Sequence, residues 1–115
     1  MIMPAFKKPV LSRKSWFLFG TLILFSCNAF AEKHVIEIED FQFVPAVLEV
    51  KVGDTITWVN RDYAPHTATA GDDSWDTGNL EFKEKARIKI SAKTVTDYYC
   101  RYHPNMKASL IIISE

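Results

Sequence analysis

From position 34 onward the chain alternates apolar and polar residues in short runs, the two-residue period of half-buried strands. "HVIEIEDFQF" (34–43) places Ile36 and Ile38 on one face, and "ARIKIS" (86–91) does the same with Ile88 and Ile90. "AVLEVKVGDTITWVN" (46–60) reads as two strands parted by a turn at Gly53-Asp54. "VTDYYC" (95–100) and "ASLIIIS" (108–114) are rich in the β-branched and aromatic residues that suit a pleated surface. "GDDSWDTGN" (71–79) is a polar loop. The best helical stretch, "LEFKEKAR" (80–87), is short and runs straight into an alternating segment, so it is expected to be a turn and strand entry. Several short strands at this spacing predict an all-β sandwich or barrel rather than alternating strands and helices.

The first residues follow a different rule. Lys7, Lys8, Arg13 and Lys14 precede the apolar run "WFLFGTLILF" (16–25), and Ala29-Phe30-Ala31 has the small-x-small form of a cleavage site. That layout predicts a secretory signal peptide over residues 1–31 and one domain over 32–115. The apolar run is short for a transmembrane anchor. "LFSC", ending at Cys27, loosely resembles a lipoprotein box, so anchoring by a lipid at Cys27 is the alternative to a free, exported periplasmic chain.

Removing the leader changes the charge and the cysteine count. The whole chain is formally neutral, but residues 32–115 hold 10 basic against 14 acidic residues. That excess of acid leaves no basic stripe for nucleic acid and no cationic amphipathic stretch for a membrane surface. A monomer is expected, with no membrane span in the mature chain. Of the two cysteines only Cys100 remains, so it has no partner for a disulfide. A lone thiol in an oxidising compartment is buried, reactive by purpose, or bound to metal.

Its neighbours favour metal. "YYCRYHPNMK" (99–108) holds Cys100, His103 and Met106 at intervals of three. On a strand the first two would face opposite ways. On a helix Pro104 would interrupt the face they share. They converge only if the chain leaves a strand at Cys100 and curls into a tight loop before the next one. A thiolate, an imidazole and a thioether select a soft ion; structural zinc would want more thiolates, and covalent haem a CxxCH. A second imidazole would complete the set that holds copper with a weak axial thioether. Two further histidines follow the leader: His34 stands at the mature N-terminus and is expected to be solvated, and His66, in "WVNRDYAPHTATA", taken by itself reads as a loop histidine near the surface.

"KVGDTITWVNRDYAPHTATA" followed by "DYYCRYHPNMK" resembles the cupredoxins, and among them the amicyanin-like and plastocyanin-like members, over about residues 34 to 114. In that family a Gly-Asp turn precedes a strand ending Trp-x-Asn, and a ligand histidine follows a proline a few residues later. The second ligand cluster is Cys-x-x-His-x-x-Met in the amicyanin-like members. This chain departs from the pattern at Ala108, where relatives have glycine, and at Thr94-Val95-Thr96, where they have Gly-Thr-Tyr.

The resemblance implies a Greek-key β-sandwich and a type 1 (blue) copper site made by His66, Cys100, His103 and an axial Met106. One copper per chain would cycle between Cu(II) and Cu(I). It also implies that Asn60 ties the His66 loop to the Cys100 loop by hydrogen bonds. The expected function is a one-electron carrier between redox proteins, such as a c-type cytochrome or a periplasmic dehydrogenase, which would dock on an apolar patch around His103. The chain is not expected to be an enzyme, since four protein ligands leave no open position. Two other classes use the same residues: a copper-delivery protein, which Met- or His-rich tracts would favour, and a cysteine-nucleophile hydrolase pairing Cys100 with a histidine.

Overall fold

A computed structural model describes residues 30–114. Residues 1–29, which hold most of the expected leader and Cys27, lie outside the described residues. Eight strands run in order: β1 (Lys33–Glu39), β2 (Gln42–Val44), β3 (Val47–Val50), β4 (Thr55–Asn60), β5 (Thr69–Ala70), β6 (Lys85–Lys89), β7 (Asp97–Tyr99) and β8 (Lys107–Ile112). One sheet has the order β2-β1-β4-β6 and the other β3-β8-β7-β5. β1 pairs parallel with β4 and β3 parallel with β8; the other pairings are antiparallel. The described chain is all-β, and 80–87 is a turn leading into β6, as its sequence predicts.

The apolar alternation explains how the two sheets face each other. Ile36 and Ile38 of β1, Ile56 and Trp58 of β4, Tyr98 of β7 and Leu110 of β8 are all buried in the space between them. Trp58 stacks on Trp75 (ring centroids 5.2 Å apart) and meets Tyr98 edge-on at 5.5 Å. Asn60 occupies the next inward position of β4 after Trp58 and is fully buried. A polar group there needs partners, and it has them: its Nδ2 donates to the carbonyls of Ala64 and Leu80, and its Oδ1 accepts the Asp62 N–H.

The stretch 34–43 is not one strand. Asp40 and Phe41 adopt positive φ (55° and 59°), which turns the chain back into a hairpin of β1 and β2. Such conformations are disfavoured for non-glycine residues. Here the Asp62 carboxylate supports the turn, because its two oxygens accept the N–H groups of Asp40 and Phe41 at 2.8 and 2.9 Å. Alternation alone does not reveal a turn held by an acid 21 residues away.

The expected Gly53-Asp54 turn joins β3 to β4, with Gly53 at φ 101°, a region open to glycine. The Asp54 side chain is buried and accepts hydrogen bonds from the N–H groups of Glu32 and Lys51 and from His34 Nε2. Burial alone would raise its pKa; these bonds outweigh that and lower it from 3.8 to about 2. The ionised form is therefore the one the fold prefers. Its contribution is complete above the unfolded pKa near 4 and is lost as pH falls toward 2. The shift corresponds to about 2 kcal/mol. Denaturation curves from pH 6 to 2.5 should show a shallower loss of stability for Asp54→Asn than for the parent, by about that amount. Identical acid limbs would show that Asp54 has no such preference.

Candidate metal centre

His66, Cys100, His103 and Met106 gather at one end of the sandwich by two separate devices. The first is the loop after β7. Cys100 N–H donates to the Met106 carbonyl (3.1 Å), His103 N–H to the Cys100 carbonyl (3.2 Å) and Met106 N–H to the His103 carbonyl (2.8 Å). Two consecutive tight turns therefore replace the helix that Pro104 forbids and still bring the ends of the loop together. Cys100 is fully buried, Met106 nearly so, and His103 half-buried. Two neighbours staple the loop from outside: Arg101 bonds Asp76 and Asp73, and the Tyr102 hydroxyl donates to Asn79.

The second device is the segment between β4 and β5. An isolated bridge pairs His66 with Leu80 through reciprocal main-chain bonds of 3.1 and 2.8 Å. The His66 ring is fully buried, and its Nε2 lies 2.8 Å from Asp62 Oδ2. Burial would raise the Asp62 pKa, but the N–H of Phe41, His66 and the N–H of Asp40 together lower it. An ionised carboxylate only accepts, so His66 Nε2 carries the proton. In the neutral ring that leaves the lone pair on Nδ1, which points at Cys100 Sγ from 3.8 Å. The same sulfur accepts the Thr67 N–H at 3.4 Å.

His103 stands beside this pair. Its ring centroid is 5.2 Å from that of His66, and Phe41 makes a T-shaped contact with each ring, at 4.9 Å from His66 and 4.8 Å from His103. His103, His66 and Cys100 do not bring three ligand atoms within 4.8 Å of one another; among the described residues the set that does is Glu32, His34 and Asp54. A shallow depression beside His103 is lined by Phe41, Tyr102, Pro104, Asn105 and Met106.

Asn60 does not tie the two loops together. Its bonds stay on the His66 side, within 60–64 and across to Leu80. Thr67 makes the link instead: besides its N–H to Cys100, its Oγ1 accepts the Arg101 N–H at 2.9 Å and pairs with Thr69 Oγ1. A carboxamide at the end of β4 reaches only the turn that follows it, whereas Thr67 lies directly against the Cys100 strand. His34 also departs from expectation. It is half-buried in β1 and bonded to Asp54 rather than solvated. Asp62, Phe41 and Thr67 carried no sequence signal; a carboxylate four residues before a histidine means little in a loop until the loop's path is known.

Comparison with known proteins gives a consistent result. The family described as a cupredoxin-like domain matches over residues 14–112. Amicyanin of Paracoccus denitrificans is 32% identical over 83 residues, covering 68% of this chain and 63% of the relative. Amicyanin of Paracoccus versutus is 28% identical over 88 residues, covering 71% and 66%. The chain thus spans just under two thirds of the length of these curated relatives. Among solved structures, a methionine-to-alanine variant of amicyanin described as Cu(I) superposes with a TM-score of 0.62 at 26% identity, over 69% of this chain and 80% of that one. An oxidized proline-to-alanine variant of amicyanin gives 0.63 at 27%, with the same coverage.

Proposed function

The chain belongs to the cupredoxin-like family, and on that premise we propose that it is a type 1 copper protein carrying single electrons between redox partners in the periplasm. The observation that carries the proposal is the buried pairing of Cys100 Sγ with His66 Nδ1 at 3.8 Å. Two ligands of one ion, each about 2.0 to 2.3 Å from it, stand at about that separation. The donor set of thiolate, two imidazoles and thioether fits copper better than any harder ion. That a structural neighbour is described as Cu(I) supports the same choice. His66, Cys100, His103 and Met106 would hold the ion.

Bound there, copper supplies a one-electron couple. The protein's part is to keep the ligands from moving as the charge changes. Asp62 fixes the tautomer and tilt of His66, and Thr67 holds the sulfur. The stapled turns hold His103 and Met106. Partners along a metal ligand's hydrogen bonds set its orientation and basicity in this way. With four protein donors no position is left for a substrate, so the chain is not an enzyme on this reading.

The electron's exit is His103, the half-buried member of the set, rimmed by the exposed Phe41 and Tyr102 and by Pro104. A small apolar rim of this kind suits brief encounters with a redox protein, such as a c-type cytochrome or a periplasmic dehydrogenase. Export rests on the leader expected over residues 1–31. Among the described residues no helix is long and apolar enough to cross a membrane.

The test is one equivalent of Cu(II) added to the purified protein, followed by absorption spectroscopy and then a mild reductant. An intense visible band that bleaches on reduction is expected from a copper–thiolate bond. Weak d–d bands alone would overturn the assignment.

A further inference from the structure

We propose that Glu32, His34 and Asp54 form a second cation site, for a borderline divalent ion of the zinc class, at the end of the sandwich away from Cys100. His34 Nε2 lies between two carboxylates, 2.8 Å from Asp54 Oδ2 and 3.7 Å from Glu32 Oε1. One ligand atom from each of the three residues lies within 4.8 Å of the others. Nitrogen and oxygen donors each about 2.0 to 2.2 Å from a tetrahedral zinc stand about 3.3 Å apart. An ion replacing the proton shared by His34 and Asp54 would therefore part them by only about half an ångström.

The register of the sheet separates this cluster from the first site. His34 pairs with Ile56 at the start of the β1–β4 ladder, while Ile38 pairs with Asn60 at its other end. Four strand residues between them amount to roughly 13 Å.

The donors also discriminate between ions. An imidazole disfavours calcium and magnesium, which take oxygen ligands alone, and the lack of sulfur disfavours Cu(I). Imidazole with two carboxylates suits zinc, and leaves a fourth position for water. Asp54 is already held as a metal-binding carboxylate would be: its oxygens accept the main-chain N–H groups of Glu32 and Lys51 at 2.9 Å each. Such supporting bonds orient a ligand before the ion arrives. Glu32, the most exposed of the three, closes the site from the solvent side. A bound ion would clamp the entry of β1 to the β3–β4 turn, joining segments 20 residues apart in sequence.

The experiment is a titration of the reduced, copper-loaded protein with Zn(II), read by NMR at individual imidazoles and amides. One equivalent should shift His34 and the amides of Lys51 and Asp54, and should raise Tm. His34→Gln should weaken binding at least tenfold and remove the rise in Tm; Glu32→Gln, at an exposed side chain where folding is not at risk, should weaken it about tenfold. Because the readout is at His34, it is independent of what binds at Cys100, and zinc at His66 or His103 would be seen separately. Absence of any saturable shift at His34 up to millimolar zinc would overturn the site. So would affinity unchanged in Glu32→Gln and Asp54→Asn, the mark of a chelate made by a free Glu32 amine, main-chain amides and His34 without the carboxylates.

Discussion

Cys100→Ser is expected to abolish the intense visible band and most of the copper-dependent rise in Tm, while leaving the apo fold in place. Among the described residues the Cys100 sulfur is the one thiol beside His66, and it is fully buried. A serine hydroxyl is harder, ionises far less readily and sits nearer its own Cβ, so it withdraws from the ion. It remains close enough to the Thr67 N–H and the His66 ring to keep the cavity polar and satisfied, which is why the apo protein should survive. The size of the effect follows from mass action. An ion bound only by the native state adds about 4 kcal/mol when its free concentration is a thousandfold above Kd. Thermal scans of both proteins, with and without one equivalent of Cu(II), give the comparison. A serine variant stabilised by copper as much as the parent would mean that the ion binds elsewhere, and the Glu32–His34–Asp54 cluster would then be the first place to look.

The parts of this molecule that were legible in its sequence are those set by local rules. Ile36, Ile38, Ile56 and Trp58 alternate with polar neighbours, and that period is enough to say which side of β1 and β4 faces inward. Gly53-Asp54 marks its own turn, because few other pairs accept a φ of 101° there. Cys100, His103 and Met106 could be seen as a loop because Pro104 excludes the helix and odd spacing excludes the strand. What could not be read off depends on contacts between distant segments. Asp62 serves two masters, the Asp40-Phe41 turn and His66, and neither is visible from "NRDYAP". Thr67 takes the linking role expected of Asn60 because the path after Pro65, not residue type, decides which side chain meets Cys100. His34 is near the mature N-terminus in sequence but is drawn into the sheet by its parallel pairing with β4.

Truncating Trp58 to alanine should be the most damaging single change to the fold. The indole is fully buried between the sheets, stacked on Trp75 and edge-on to Tyr98, so its removal empties the middle of the core rather than its margin. Large-to-small changes of this kind cost about 3 to 5 kcal/mol, since the lost transfer free energy is joined by the cavity left behind. A domain of this size has about 5 to 15 kcal/mol in total, so the variant is expected to keep only a narrow margin. Trp58→Phe separates packing from polarity. Neither Trp58 Nε1 nor the Tyr98 hydroxyl has a partner in hydrogen-bond geometry, although both are buried. Burial pushes the Tyr98 hydroxyl up to about 12, with the nearby Trp58 N–H opposing it. A phenyl ring would keep most of the stacking and remove one unpartnered N–H, so its cost should be well below that of alanine. The damage in Trp58→Ala should also reach the metal centre, because Tyr98 is two residues before Cys100 on the strand that delivers the sulfur. Urea denaturation of the three apo proteins measures the first effect, and copper affinity the second. If alanine costs no more than phenylalanine, the stacked aromatic group is not what holds the two sheets together.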